Sequence, residues 1–200
     1  INIGNNEGSN RTTETFNLLL SGLNDSPIAT YAESYASNES LITTENGQII
    51  SGSLTASDAD NNDSHSYYLI GDEISGLTID TSGVWTFDPS NYAYESLANN
   101  EEKIISVNYR VTDQSGASDE NSFVLKIVGT NDAPTAQAVI SLGTISEDGS
   151  KFFTSTELLA NAADIDNNDV LTVSANYSGN KGVLNFDTEG GWTFTPNPDS

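Results

Sequence analysis

Two hundred residues are enough for one or two domains with a real core. Their balance, 29 acidic residues against 6 basic for a net charge of −23, excludes nucleic acid and anionic membrane as partners, because no basic patch exists to neutralise phosphates. Cysteine and methionine are absent, which excludes disulfides and removes oxidisable sulfur, and this suits an exposed, extracellular life.

The apolar residues fall in short alternating runs, none long enough to span a bilayer. No charged-then-apolar leader opens the sequence, so the expectation is an exported segment whose signal lies elsewhere in a longer chain. The acidic excess has two readings. One is a surface kept soluble by like charge, and the other is a supply of oxygen ligands for hard divalent cations such as calcium.

Taken in chain order, the elements repeat. Phe16 to Ala29 (FNLLLSGLNDSPIA) returns as Phe123 to Ala136 (FVLKIVGTNDAPTA), 107 positions later. Asp58 to Asp63 (DADNND) returns as Asp164 to Asp169 (DIDNND), offset 106, and Asp80 to Pro89 (DTSGVWTFDP) as Asp187 to Pro196 (DTEGGWTFTP), offset 107. The period divides the chain into the carboxy-terminal end of one module at 1–25, a complete module at 26–132, and the first part of another at 133–200, cut before its match for Val107–Val128.

Within this frame the reading is all-β. Asp80-Thr81-Ser82-Gly83 joins Leu77–Ile79 to Val84–Phe87 as a hairpin turn. Ile105, Val107, Tyr109 and Val111 alternate with polar neighbours, and Phe123, Leu125 and Ile127 do the same, as strands with one buried face should. A single helical turn is expected at Ser155–Asn161, with Thr154 and Glu157 at capping-box spacing. Many short strands at regular turn spacing predict tandem Greek-key β-sandwiches joined by short Asn-Asp-x-Pro linkers.

The acids gather where the units meet. Both junctions read Gly-x-Asn-Asp-x-Pro, at Gly22–Pro27 and Gly129–Pro134. Proline stiffens the connection, and Asn and Asp offer side-chain and backbone oxygens. Such residues also make ordinary turns, but their recurrence at both junctions favours cation binding. Alternate acids in an extended loop point the same way, so Asp58 and Asp60 can grip one ion, and Asp113 at the end of a strong strand can complete the set. The loops begin like EF-hands but are not, because Asp63 stands where glycine should and Leu69 where the bidentate Glu should.

Other chemistry is poorly represented. Trp85 and Trp192 share one repeat position and could stack on sugars, but a core or turn-covering role fits Gly-x-Trp-Thr-Phe better. His65 is the only histidine and has no histidine counterpart in the repeat, so neither a serine triad nor zinc catalysis is expected. Carboxylate pairs could suit glycoside hydrolysis, yet an active site has no reason to recur with the repeat. An enzyme is not expected.

Gly-x-Asn-Asp-x-Pro together with Asp-Ala-Asp, Gly-x-Trp-Thr-Phe-x-Pro and a Tyr-x-Val-x-Asp strand resembles the VCBS repeats of large bacterial RTX-type surface adhesins, which are cadherin-like sandwiches. The match runs along nearly all of 26–132. The segment 133–200, with Ile145-Ser146-Glu147-Asp148-Gly149 and Leu158-Leu159-Ala160-Asn161, resembles the related cadherin-like repeats. The resemblance implies calcium between successive domains. The first junction would use Asn24, Asp25, Asp58, Asp60 and Asp113. The second would use Asn131, Asp132, Asp164 and Asp166, with Glu45 reaching from the module in front. Glu147, the counterpart of Glu45, would serve a further junction.

The resemblance further implies a calcium-stiffened stalk on the bacterial cell surface, exported by type I secretion. Its partners would be neighbouring repeats of the same chain, and other domains of the parent would hold the host or biofilm surface. The alternative is a carbohydrate- or protein-binding module of a secreted multidomain protein, with Tyr67, Tyr68, Tyr92 and Tyr94 as candidate exposed aromatics.

Overall fold

The computed structural model describes residues 2–4, 11–13, 15, 17–19, 21–31, 41–136 and 140–198. Phe16 and Leu20 of the first repeated strand lie outside the described residues. The chain opens with an antiparallel hairpin of β1 (Asn2–Gly4) and β2 (Arg11–Thr13).

Eight strands then build a sandwich. One sheet has the order β3-β5-β8-β7, from β3 (Ile28–Tyr31), β5 (Ile50–Ser57), β7 (Leu77–Ile79) and β8 (Val84–Phe87). The facing sheet has the order β4-β10-β9-β6, from β4 (Leu41–Thr44), β6 (Ser66–Leu69), β9 (Glu102–Thr112) and β10 (Ser118–Val128). Every pairing in the sandwich is antiparallel except β4 with β10, where Leu41–Thr44 runs parallel to Leu125–Val128.

The alternation read from the sequence sets which faces meet. Val107, Tyr109 and Val111 of β9 and Leu125 and Ile127 of β10 are fully buried against Trp85 and Phe87 of β8. The Trp85 and Phe123 rings lie 5.0 Å apart, and Phe87 and Tyr94 lie 5.6 Å apart. Each such side chain contributes about 1.5–3 kcal/mol of burial, so Trp85 belongs to the core rather than to a sugar platform. Gly52 leaves room for it, because a Cβ there would fall 2.7 Å from the indole.

The sheets are also tied by polar side chains. Ala29 N–H donates to Asp119 Oδ2 at 2.9 Å, Asn121 Nδ2 donates to Ala29 O at 3.0 Å, and the Tyr109 hydroxyl donates to Thr30 O at 3.2 Å. The hairpin turn between β7 and β8 is organised by one carboxylate. Asp80 Oδ1 accepts from the amides of Ser82 and Val84 and from the Ser82 hydroxyl, while Gly83 takes φ +88°.

Two of the four tyrosines expected at the surface are not there. Tyr67 occupies the inward position of β6, and Tyr94 packs on Phe87 while its hydroxyl donates to Ser75 O at 2.7 Å. Both are nearly fully buried, whereas Tyr68 and Tyr92 are exposed.

Beyond residue 132, β11 (Thr135–Ala136) pairs with β13 (Ala162–Ala163). A three-stranded sheet β12-β15-β14 is formed by β12 (Lys151–Thr154), β14 (Gly182–Phe186) and β15 (Gly191–Pro196). Between β12 and β13 lies α1 (Ser155–Leu158), opened by a complete capping box between Thr154 and Glu157. Trp192 sits on β15 as Trp85 sits on β8, edge-on to Phe186 at 5.3 Å. It lines an open apolar pocket with Ile145, Phe153, Leu158, Leu184 and Phe194.

Candidate metal centre at the module junctions

The two linkers share three hydrogen bonds. Asn24 Nδ2 donates to Asp25 O at 2.8 Å, and Asn131 Nδ2 donates to Asp132 O at 2.6 Å. Asp25 N–H donates to Asp60 Oδ2 at 2.8 Å, and Asp132 N–H donates to Asp166 Oδ2 at 2.8 Å. Asp60 N–H donates to Asp58 Oδ1 at 2.9 Å, and Asp166 N–H donates to Asp164 Oδ1 at 3.1 Å. The Asp-x-Asp loop therefore grips the linker backbone in each copy. A residue is dropped between linker and loop in the second copy, and these bonds survive it.

At the second junction a third carboxylate arrives from the module in front. Glu45 follows β4, and its N–H donates to Val128 O at 3.0 Å. Its Oε1 accepts from Thr130 N–H at 2.5 Å and from the Thr130 hydroxyl at 3.2 Å. Carboxylate oxygens of Glu45, Asp132 and Asp166 come within 4.8 Å of one another.

Each of these three residues keeps one buried oxygen without a hydrogen-bond partner: Glu45 Oε2, Asp132 Oδ2 and Asp166 Oδ1. Glu45 is 2 % exposed and Asp166 6 %. Converging buried carboxylates repel one another, and an unpaired buried charge is costly. Burial, opposed by the two Thr130 hydrogen bonds and reinforced by Asp132 and Asp166, pushes the Glu45 carboxyl above the usual carboxylate range. A hard cation relieves this arrangement, since calcium takes its six to eight ligands as oxygens. The donor set and its orphaned oxygens fit that ion.

At the first junction Asn24 Nδ2 donates to Asp113 Oδ2 at 2.9 Å. That bond, with the amides of Ala117, Gly116 and Ser115, holds the Asp113 carboxyl below its usual range. The carboxylates that converge here are Asp58, Asp63 and Asp113. Asp60, whose Oδ2 accepts from the Asp25 amide, is not one of that group. His65 lies 3.4 Å from Asp58, a contact the second copy cannot make because Leu171 stands at that position.

Asp63 and its counterpart Asp169, which clusters with Asp164 and Asp166, are the acids that sequence reasoning left out of the ligand set. The signal was present in Asn62 and Asn168. Both adopt left-handed φ, +67° and +65°, and turn the loop back so that its last acid returns to its first. Among the described residues Glu147 is exposed and joins no carboxylate cluster.

A β-sandwich joined by an acid-rich, hydrogen-bonded linker to a second β unit defines a tandem β-module. Residues 24–126 match the bacterial Ig domain family, and residues 130–200 match the cadherin-like domain. With more than half its length in the first match, the chain belongs to the bacterial Ig domain family. Domains of both kinds are structural or binding modules of extracellular or surface proteins, and the cadherin-like likeness is confined to residues 130–200.

No curated protein matches the chain. Among solved structures, Drosophila N-cadherin EC1-3 is 20 % identical over 56 % of this chain, with a TM-score of 0.37. SGBP-B of the Bacteroides ovatus mixed-linkage glucan utilization locus, in complex with a mixed-linkage heptasaccharide, is 10 % identical over 90 % of this chain, with a TM-score of 0.34. The chain spans 35 % of the first and 42 % of the second. Both are distant likenesses.

Proposed function

We propose that this chain is a calcium-stiffened spacer from the stalk of a bacterial surface adhesin of the VCBS and RTX type, exported by type I secretion and serving attachment or biofilm formation. The observation that supports this reading is the second junction, where Glu45 of one module and Asp132 and Asp166 of the next converge with three orphaned buried oxygens. Calcium there would be held by Glu45, Asp132 and Asp166, with Asn131 and Asp164 beside them. At the first junction Asn24, Asp25, Asp58, Asp60, Asp63 and Asp113 would take the same role. The ion supplies positive charge. The chain's own residues fix the linker and draw one module onto the next.

The test is thermal unfolding of the chain at low salt, in calcium and in chelator, with magnesium as control. Calcium at about 100 to 1,000 times its dissociation constant stabilises by roughly 3–4 kcal/mol if the junctions bind it. Coincident melts would reduce the acids to a solvated surface, and glycan binding would be examined next.

A further inference from the structure

We infer that an ion at the second junction clamps the parallel β4–β10 pair of the module in front of it, through Glu45 and Thr130, and so protects residues 26–132 from unfolding as well as ordering the linker. The inference rests on the calcium reading above.

Glu45 is the last link of a ladder. The parallel pairing of Leu41–Thr44 with Leu125–Val128 is continued by the Glu45 amide to Val128 O, and then by the Glu45 side chain to Thr130 N–H. The carboxylate divides its labour. Oε1 holds the backbone immediately after β10, while Oε2, buried and unpartnered, shares the cluster with Asp132 and Asp166. An ion bound to Oε2 fixes the rotamer that Oε1 needs, and anything that frees Glu45 releases the end of β10.

The neighbourhood makes that end a sensitive one. Gly129 N–H donates to Glu101 O at 2.7 Å and Gly129 O accepts from Asn100 N–H at 2.9 Å, so the exit of β10 is sewn to the loop before β9. From the following module, Asn167 N–H donates to Ser96 O at 3.0 Å in the loop between β8 and β9. The junction thus touches the front module at β4, at β10 and at its long loop. β4 lies near the start of the module and β10 at its end.

Amide hydrogen exchange on the full chain, with calcium and with chelator, tests this, alongside a calorimetric calcium titration of the same sample. Calcium is expected to slow exchange at Glu45 and across Leu125–Thr130 by tenfold or more. Asp166→Asn, which keeps the Glu45–Thr130 hydrogen bonds but weakens the cluster, is expected to abolish that protection. Binding heat with protection confined to residues 131–136 and 164–169 would overturn the inference and leave the calcium site standing. Protection of β4 and β10 that persists in Asp166→Asn would assign it to the first junction and overturn the inference likewise. No binding heat would overturn the calcium reading and this inference with it.

Discussion

Glu45 is placed where a carboxylate is least comfortable: 2 % exposed, with two other acids beside one of its oxygens. Its raised pKa expresses the penalty on the charged form, caused first by burial. Glu45→Gln keeps an acceptor for Thr130 and removes the charge. In chelator this variant should melt higher than the parent, by about 1 kcal/mol, the scale of one relieved polar mismatch. In calcium it should lose most of the stabilisation the parent gains. A variant that melts lower in chelator and keeps its calcium response would show that Glu45 is a structural hydrogen-bond acceptor and nothing more. The linker acids stood out in the sequence because they recur at 107 residues. Asp63 did not, because its approach to Asp58 depends on the left-handed turn at Asn62 rather than on spacing. Tyr67 and Tyr94 were misread for a related reason: in Tyr67-Tyr68 and Tyr92-Ala93-Tyr94 no polar alternation fixes which ring points inward.

Among the elements, β8, β9 and β10 were legible because their alternation has a clear phase and their turns carry glycine at the required place. The parallel pairing of β4 with β10 was not, since more than eighty residues separate partners and Leu41–Thr44 is too short to show a phase. The exit of β10 depends on Gly129, where a Cβ would meet Ala98 O at 2.2 Å and Leu97 O at 2.6 Å. Gly129→Ala must therefore push the 97–101 loop away or break the Gly129–Glu101 hydrogen bond. It should destabilise the chain by about 1–3 kcal/mol, the range for overpacking a tight site, as read from urea midpoints at unchanged slope. A midpoint within error of the parent would mean that this loop yields freely.

For the molecule as a whole, a net charge of −23 means that folding concentrates repulsion that the extended chain spreads out. The described ion pairs relieve little of it. Arg110–Glu120 lies on the exposed surface, and Lys126 is half-buried but its partner Glu102 is exposed, a setting where such pairs contribute little. Monovalent salt shortens the screening length from about 30 Å at 0.01 M to about 10 Å at 0.1 M. In chelator the melting temperature should therefore climb with potassium chloride over this range. With saturating calcium the climb should be smaller, because the densest clusters are already neutralised. A melting temperature that ignores salt in chelator would remove self-repulsion as a term in stability.

The repeated bonds at the two linkers have a consequence for sequence variation between copies. At the second junction the coupling has two halves carried by different modules: an Asp-x-Asp loop with its linker from one, and Glu45 from the module in front. The loop meets its linker by hydrogen bonds to backbone in both copies, and these bonds survive a residue lost between them. Because these contacts are made to backbone, the side chains around a linker can differ between copies, as Ser26 differs from Ala133 and Ala59 from Ile165, without redesign of the joint.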